Sequence, residues 1–234
     1  MEFTNKEFVK FRVGKKIIHA LIDAPHATNP KGEYPTGQIA DNVSRVCGCH
    51  CIIGTISRTE VDLNRPPEQS NNPKAIYKYR SAIENILNTS GLISKNKNLN
   101  NPFLHVQIHG MKDRSLDPSD NYDLDVEIGT RNKTTCSPKV HDWIINKFIN
   151  WSKKLNSEIA VKVGANKMFR GDPSKAFHRH GDHNNYRGYG DNFHTVQVEF
   201  TQWLRKDYQS DIEEILCQIV NEFSEIESEY WHAT

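Results

Sequence analysis

Three β-rich runs of the chain each deliver a polar side chain at or just past their C-terminal ends, and this arrangement constrains the fold most. The run at 17–22 leads into Asp23 and His26, the run at 103–108 ends at His109, and the run at 195–200 carries Glu199. In open α/β sheets, ligands bind at the edge formed by the carboxyl ends of the strands. We therefore expect these polar residues to meet at one edge of a sheet.

Helical and strand-like segments alternate along the rest of the chain. Asn72-Pro73 and Ser137-Pro138 are helix starts, the first helix ends near Gly91, and a last helix is predicted around 212–223. Strands are predicted near 8–13, 15–22, 50–57, 103–109, 124–128, 159–163 and 194–200, with loops at 91–102 and 170–192. This alternation predicts an α/β fold with a mixed, largely parallel β-sheet flanked by helices.

Length and composition narrow the class of protein. A chain of 234 residues without a linker-like segment favours one α/β domain spanning residues 1–234. Because 30 basic residues balance 29 acidic ones, we expect no nucleic acid and no membrane surface as partner. The apolar runs are strand-length, and residues 1–7 lack the apolar core of a signal peptide. We predict a soluble, cytoplasmic protein.

Five cysteines, an odd number, favour a reducing compartment over a disulfide framework. Three of them lie in Cys47-Gly48-Cys49-His50-Cys51, where a spacing of two suits one face of a strand. Zinc sites normally use C-x-x-C pairs, so we interpret these thiols as buried structural residues, with redox sensitivity as the alternative.

The tract at 57–67 brings Arg58, Asn64 and Arg65 together around apolar Val61 and Leu63. The planar guanidinium group of arginine pairs with both oxygens of a carboxylate. The tract therefore predicts an anionic substrate, and a structural ion pair between Asp62 and Arg65 is the alternative.

In order along residues 17–205, these motifs resemble the N-formylglutamate amidohydrolase family. The motifs are Pro25-His26 with a following acid, Ser57-Arg58, the tract at 61–66, Ile108-His109-Gly110, and Gln197-Val198-Glu199 followed by Leu204-Arg205. That family is similar to zinc carboxypeptidases, whose Asp-Leu-Asn-Arg element grips the substrate carboxylate. The resemblance implies a zinc-carboxypeptidase-like (phosphorylase/hydrolase-like) fold. It also implies a zinc-dependent amidohydrolase that acts on a small, acidic N-acyl amino acid such as N-formyl-L-glutamate, releasing formate and glutamate.

The resemblance further implies one Zn²⁺ per chain, with His26, Glu33 and His109 as ligands. Two imidazoles and a carboxylate leave a fourth position open to water, as in hydrolytic zinc enzymes. Zinc carboxypeptidases space their first two ligands as H-x-x-E, whereas Glu33 follows His26 by seven residues. Asp41 therefore stays open as an alternative third ligand.

By the same resemblance, Glu199 is the general base. Strand alternation places Val196, Val198 and Phe200 on one face of the sheet and leaves Glu199 on the other. A salt bridge between Glu199 and Arg205 is the alternative.

The basic residues are expected to contact the substrate. Arg58 would stabilise a developing oxyanion, while Asn64 and Arg65 would bind the substrate carboxylate. Asp125, Glu127 and Arg131 resemble a further element of the family, which implies Arg131 as a second carboxylate contact. The alternation of this segment also fits a half-buried strand, which is the alternative.

A histidine cluster, His178, His180 and His183, lies in the glycine-rich loop at 170–192. We interpret the loop as a lid that brings Tyr186 or Tyr189 over the site, with metal binding by the cluster as the alternative.

Two other functions stay open. The same machinery would suit a carboxypeptidase-like or γ-glutamyl peptide hydrolase, and the arginines alone would suit a non-catalytic module that binds an acidic ligand.

Overall fold

The apolar runs of the sequence assemble into an eight-stranded sheet. The computed structural model describes residues 2–113, 123–155, 160–171, 188–226 and 230. Its strands are β1 (Thr4–Asn5), β2 (Val9–Arg12), β3 (Ala20–Ala24), β4 (His50–Gly54), β5 (Phe103–Gly110), β6 (Val126–Gly129), β7 (Val163–Ala165) and β8 (Phe193–Phe200). They are arranged in the order β1-β2-β4-β3-β5-β8-β6-β7.

The four central strands, β4, β3, β5 and β8, run parallel, so their carboxyl ends share one edge. The flanking strands β1 and β2 are antiparallel additions on one side, and β6 is antiparallel to β8 on the other. Strand β7 pairs parallel to β6. The mixed, largely parallel sheet predicted from the sequence is confirmed.

Helices cover both faces of the sheet. The helices are α1 (Thr36–Cys47), α2 (Pro73–Thr89), α3 (Pro138–Lys154), α4 (Gln202–Asp207) and α5 (Gln209–Glu225), with a 3-10 turn at Pro67–Gln69. Apolar residues of α1, α3 and α5 pack on one face, here called the α1 face, together with Ile22, Val106 and Val198. Apolar residues of α2 pack on the other, the α2 face, together with Leu21, Phe103 and Phe193.

Along the α2 face the side chains change from apolar to polar toward the carboxyl ends of the strands. Because side chains alternate along a strand, Phe103, His105, Gln107 and His109 of β5 all lie on this face. All four are buried. The end of β5 on the α2 face is therefore a buried polar surface. Its polar atoms need hydrogen-bond partners from the rest of the structure.

Helix α1 and the short α4 are absent from the sequence predictions. Pro35 precedes α1 without a side-chain cap, and the helix ends at Gly48, which adopts a left-handed conformation at φ 74°. Cys47 thus ends a helix, and the prediction of one strand face for the three cysteines is wrong. Their burial is confirmed, and all five cysteines are free thiols.

The predicted boundaries of several strands shift. Strand β3 begins at Ala20 because a turn, in which the Ile18 amide donates to the Lys15 carbonyl, occupies the preceding residues. Strand β7 begins only at Val163, and residues 156–159 lie outside the described part of the chain. The 91–102 segment is a loop, as predicted, apart from one bridge between Ile93 and Leu99.

The proposed lid falls mostly at 172–187, outside the described residues, as do His178, His180, His183 and Tyr186. Tyr189 is described and does not approach the carboxyl edge. It is buried in the core of the α2 face against Phe193, with ring centroids 5.1 Å apart, near the amino-terminal ends of the strands. The expectation that Tyr189 covers the site is therefore wrong.

None of the helices in the described ranges is long and apolar enough to cross a membrane.

The cap of α3 provides a test of the fold. The hydroxyl of Ser137 accepts a hydrogen bond from the Val140 amide. We expect Ser137→Ala to lower the free energy of unfolding by about 1 kcal/mol, because an N-terminal amide loses its partner. The measurement is urea denaturation. Ser152→Ala, inside the same helix, is the matched control, and an equal loss in both variants would contradict the capping role.

Candidate metal centre

A cavity of about 590 Å³ opens at the carboxyl edge of the central strands, on the α2 face. His26 follows β3, while His109 of β5 pairs directly with Glu199 of β8 in the sheet register. The strand ends therefore bring together the polar residues that the sequence predicted would meet. The lining side chains include His26, Glu33, Arg58, Asp62, Asn64, Arg65, His109, Lys112, Asp113, Met168, Phe169, Gln197 and Glu199.

Three of these residues form a group that could hold a metal ion. Glu33 Oε1 lies 3.0 Å from His26 Nδ1, and Glu33 Oε2 lies 3.1 Å from His109 Nδ1. One ligand atom from each residue falls within 4.8 Å of the others. The two histidine side chains are 3 % exposed and that of Glu33 is 10 % exposed, so the group is largely removed from water.

The chain between His26 and Glu33 folds back on itself, which explains how a spacing of seven residues brings the two together. The Glu33 amide donates to the His26 carbonyl at 2.8 Å, and the Gly110 amide donates to Glu33 Oε2 at 3.0 Å. Asp41, the alternative third ligand, lies on α1 and accepts a hydrogen bond from Arg12 at 2.7 Å. Asp41 is not part of the group.

The partners of the two imidazole rings leave both Nδ1 atoms directed at Glu33. His26 Nε2 lies 2.8 Å from Asp62 Oδ1. An ionised carboxylate only accepts hydrogen bonds, so Nε2 donates its proton to Asp62, and Nδ1 is the nitrogen at which a metal ion would take the place of a proton. His109 Nε2 lies 3.0 Å from Gln107 Oε1 and 2.9 Å from Asn64 Nδ2.

The charges around the group favour a cation. Burial opposes charge on His26, yet hydrogen bonds and the charges of Asp62 and Glu33 raise its pKa to about 9. Burial likewise opposes ionisation of Glu33, but His109 and His26 hold its pKa well below the usual range. Each imidazole thus faces a carboxylate that stabilises positive charge.

The donor set fits zinc. Two imidazole nitrogens and one carboxylate oxygen are a common ligand set for catalytic Zn²⁺, which keeps a fourth position for water or substrate. The carboxylate of Asp62 behind His26 matches the carboxylate–histidine arrangement that orients metal ligands. The group could therefore hold one divalent ion, with His26, Glu33 and His109 as its protein ligands.

Glu199 lies beside this group with its carboxylate buried. Gln197 Nε2 donates to Glu199 Oε1 at 2.7 Å. Burial raises the pKa of Glu199 to about 7, and the charge of Glu33 adds to this, while the charge of His109 opposes it. The hydrogen bonds of Arg205 go to backbone carbonyls, among them that of Phe200 at 3.1 Å, so the alternative of a structural Glu199–Arg205 salt bridge is not what the structure describes.

The arginines of the 57–67 tract line the cavity and also pair with Asp62. Arg58 Nη2 lies 3.2 Å from Asp62 Oδ2, and Arg58 Nη1 lies 3.1 Å from Glu33 Oε1. Arg65 Nε lies 3.4 Å from Asp62 Oδ2. The ion pair weighed as an alternative is present, and each arginine side chain keeps 37 % of its surface exposed. The tract therefore contains the ion pair and also presents both guanidinium groups to the cavity.

Asn64 has a different set of contacts from the one expected. Its side chain is buried, exchanges hydrogen bonds with Gln107, and places Nδ2 2.9 Å from His109 Nε2. A substrate carboxylate would have to displace these partners. The geometry therefore places Asn64 behind the candidate metal ligand.

Arg131 does not line the cavity. Because β6 runs antiparallel to β8, its carboxyl end leads away from the edge that holds the site. Arg131 is exposed in the turn that follows, where it has a positive φ of 45°. The expectation of a second carboxylate contact at Arg131 is wrong, because the antiparallel strand carries Arg131 away from the cavity.

The strand before Arg131 is fully buried rather than half-buried. Glu127 Oε1 accepts hydrogen bonds from the amides of Met168 and Phe169 at 2.7 and 2.8 Å. Both of those residues line the cavity. Glu127 therefore fixes one wall of the site.

Two residues of the site were missed by the sequence analysis. Asp62 was considered only as an arginine partner, although it also binds His26. Gln107 lies two residues before His109 on β5. Because side chains alternate along a strand, this spacing is the sequence signal that places Gln107 on the same face as His109.

A second cavity, of about 710 Å³, lies between α3 and α5. Its lining mixes Lys147, Glu214 and Trp143 on solvated helix surfaces. Buried titratable groups mark functional sites more reliably than volume does, so the smaller cavity is the better candidate.

Comparisons with known proteins agree on the fold. No protein-family model matches the chain, and no curated protein sequence matches it. Among solved structures, the N-formylglutamate amidohydrolase from Ralstonia eutropha JMP134 is similar with a TM-score of 0.64 and 14 % identity, over 96 % of this chain and 98 % of that one. A bacteriophage poly-γ-glutamate hydrolase gives 0.52 and 15 %, over 96 % and 93 %. The fold implied by the sequence resemblance is thus confirmed.

The metal centre provides a test. We expect the purified protein to bind about one zinc ion per chain, and His26→Ala and His109→Ala to lose most of it, because each removes one of three ligands. Elemental analysis after dialysis is the measurement. Glu33→Gln should lose more metal than its matched control, Asp41→Asn. Full occupancy in both histidine variants, with loss in His180→Ala, would place the site elsewhere.

Proposed function

We propose that the protein is a zinc-dependent amidohydrolase that cleaves a small, carboxylate-bearing N-acyl amino acid. The observation that carries this proposal is a buried group of metal-type ligands, His26, Glu33 and His109, with Glu199 on the adjacent strand end. Binding of an anion alone needs neither a metal group nor a buried carboxylate with a raised pKa.

The chemistry proposed is the addition of water to an amide carbonyl. Bound at the group, a zinc ion would polarise the carbonyl and acidify a water molecule. Glu199 would take a proton from the attacking water and pass it to the leaving nitrogen, so the carbon–nitrogen bond breaks to give an acid and an amine. Gln197, which donates to Glu199 Oε1, would hold that carboxylate in position.

The arginines would bind the negative charges of the reaction. Arg58 lies closest to the ligand group, through its 3.1 Å contact with Glu33, and we assign it to the developing oxyanion. Arg65 contacts Asp62 through Nε and keeps 37 % of its side chain exposed, so we assign its guanidinium group to the substrate carboxylate.

We propose N-formyl-L-glutamate as the substrate, with formate and glutamate as products. The order of motifs, the fold shared with N-formylglutamate amidohydrolase and the two cavity arginines support this assignment. The five free thiols are consistent with a reducing compartment, and we propose that the reaction takes place in the cytoplasm.

A γ-linked glutamyl peptide is the second candidate substrate. The lining of the cavity, of about 590 Å³, also includes Lys112, Met168 and Phe169, and this volume exceeds that of a single amino acid. The fold is also shared with a poly-γ-glutamate hydrolase. The same ligands, base and arginines would serve this reaction.

The role of Glu199 is tested by removing its charge. We expect Glu199→Gln to keep its fold and zinc but to lose about 10²- to 10⁴-fold in kcat, because an amide cannot accept the proton. Steady-state hydrolysis by the zinc-loaded protein is the measurement, with Glu214→Gln on the exposed side of α5 as the matched control. Loss of the thermal transition would indicate a structural role, and near-normal turnover would exclude catalysis by Glu199.

The pH profile is a further check on the same residue. Burial raises the pKa of Glu199. The side chain is a neutral acid below that pKa and a carboxylate above it. We expect kcat/KM of the wild type to fall as the pH drops through the pKa of Glu199, because only the carboxylate accepts a proton.

The substrate is tested by comparing N-formyl-L-glutamate, N-acetyl-L-glutamate and a short γ-linked oligoglutamate on the zinc-loaded protein. We expect the formyl compound to be hydrolysed fastest. Arg65→Ala should raise its KM, because a paired arginine–carboxylate contact is lost. Preference for the oligoglutamate would favour the peptide hydrolase, and turnover of none of the three would favour the acidic-ligand-binding module.

A further inference from the structure

The two candidate metal-binding histidines have different partners on their far sides. His26 Nε2 contacts the carboxylate of Asp62 directly. His109 Nε2 instead lies against two neutral amides, 3.0 Å from Gln107 Oε1 and 2.9 Å from Asn64 Nδ2. A metal-bound histidine usually donates its second N–H to an acceptor, and of the two amide atoms only Gln107 Oε1 can accept. In that state Asn64 Nδ2 donates to Gln107 Oε1 and not to the ring.

The orientation of the Gln107 amide is set by a buried carboxylate behind it. Gln107 Nε2 donates to the Tyr79 hydroxyl oxygen at 2.8 Å and lies 3.3 Å from Asp23 Oδ2, the atom to which Tyr79 donates. Because Asp23 Oδ2 is the acceptor of the Tyr79 hydroxyl, the donor nitrogen Nε2 faces Asp23, and Oε1 faces His109. Asp23 is itself held by Tyr79 and by His105 Nε2, which lies 3.0 Å away. All of these side chains are fully buried.

Asn64 completes the arrangement by fixing the Gln107 side chain from the other direction. Gln107 Nε2 donates to Asn64 Oδ1 at 2.8 Å, and Asn64 Nδ2 donates to Gln107 Oε1 at 3.1 Å. The two amides thus form a closed pair with one orientation relative to Asp23. Neither amide can rotate without leaving a buried polar atom without its partner, which costs about 1–3 kcal/mol.

We infer that Gln107 is a positioning residue, through which Asp23 holds the ring of His109 with Nδ1 directed at the metal position. The inference rests on the proposed metal-binding role of His109 and extends it to two residues that do not touch the metal or the substrate. Asp23 acts on His109 only through Gln107, because the Gln107 amide lies between them. Hydrogen bonds in such a chain strengthen one another, so the carboxylate makes Gln107 Oε1 a better acceptor.

The experiment measures zinc affinity by competition with a chelating indicator in the wild type and four variants. We expect Gln107→Leu to bind zinc about 10- to 100-fold more weakly, the usual effect of losing such a partner. Asp23→Asn should show a smaller loss in the same direction. The double variant should bind no more weakly than Gln107→Leu alone, because the influence of Asp23 passes through Gln107. Independent, additive losses would overturn the inference.

Thr195→Val is the matched control for damage to the buried face. Thr195 lies on the α2 face of β8, its side chain is buried, and its hydroxyl has no hydrogen-bond partner within the described structure. We expect it to leave zinc affinity unchanged. Gln107→Met, which preserves the side-chain length, replaces Gln107→Leu if thermal unfolding shows that the leucine variant does not fold.

The second measurement identifies which ring nitrogen of His109 binds zinc. Nitrogen-15 chemical shifts of the zinc-loaded wild type should show His109 bound through Nδ1 with a proton on Nε2. Gln107→Leu should lose this single state, whereas Thr195→Val should keep it. A wild type that binds no zinc would reject the proposed metal site. A wild type that binds zinc normally, together with an unchanged Gln107→Leu, would reject only the positioning role.

Discussion

The carboxylate of Glu33 is the group on which the geometry of the site depends. A buried carboxylate is costly unless each oxygen is bonded, and here Oε1 contacts His26 and Arg58, while Oε2 contacts His109 and the Gly110 amide. One side chain thus joins the segment after β3, the end of β5 and the arginine tract. Because these partners share one buried carboxylate, removing any one of them leaves Glu33 with fewer groups to offset the cost of its burial.

Because side chains alternate along each strand, the central strands bury apolar side chains on the α1 face and carry the polar side chains of the site on the α2 face. On the α1 face, Ile22, Val106 and Val198 form part of a continuous apolar core with three helices. On the α2 face, Asp23 pairs in register with Gln107, and Gln107 with Gln197, so one row of polar side chains crosses three strands. The next row carries His109 and Glu199. A one-residue slip of any central strand would exchange these faces, which specifies the register strongly.

The sequence predicts the parts of the fold that follow from strand and helix periodicity, and it fails where long-range geometry decides. His109 and Glu199 were placed correctly at the cavity because both end parallel strands. Arg131 was misplaced, since nothing local shows that β6 is antiparallel. Helix α1 was missed because it lacks a side-chain cap and begins with Thr36-Gly37, which are weak helix formers. The roles of Gln107 and Asp62 could be assigned only from the structure, because they depend on contacts with the rings of His109 and His26.

The sequence offered two alternative roles for the arginine tract, which are anion binding and a structural ion pair with Asp62. The position of Asp62 is compatible with both. Its Oδ1 contacts His26 Nε2, and its Oδ2 contacts both Arg58 and Arg65. The ion pair holds the arginines at the cavity mouth and gives the imidazole its orienting acceptor at the same time. An anionic ligand that pairs with Arg65 would draw it away from Asp62, leaving more of the negative charge of Asp62 to stabilise His26. The proposed anion site and the candidate metal site are therefore electrostatically coupled through Asp62. Glu33 adds a second link, because it contacts both Arg58 and His109.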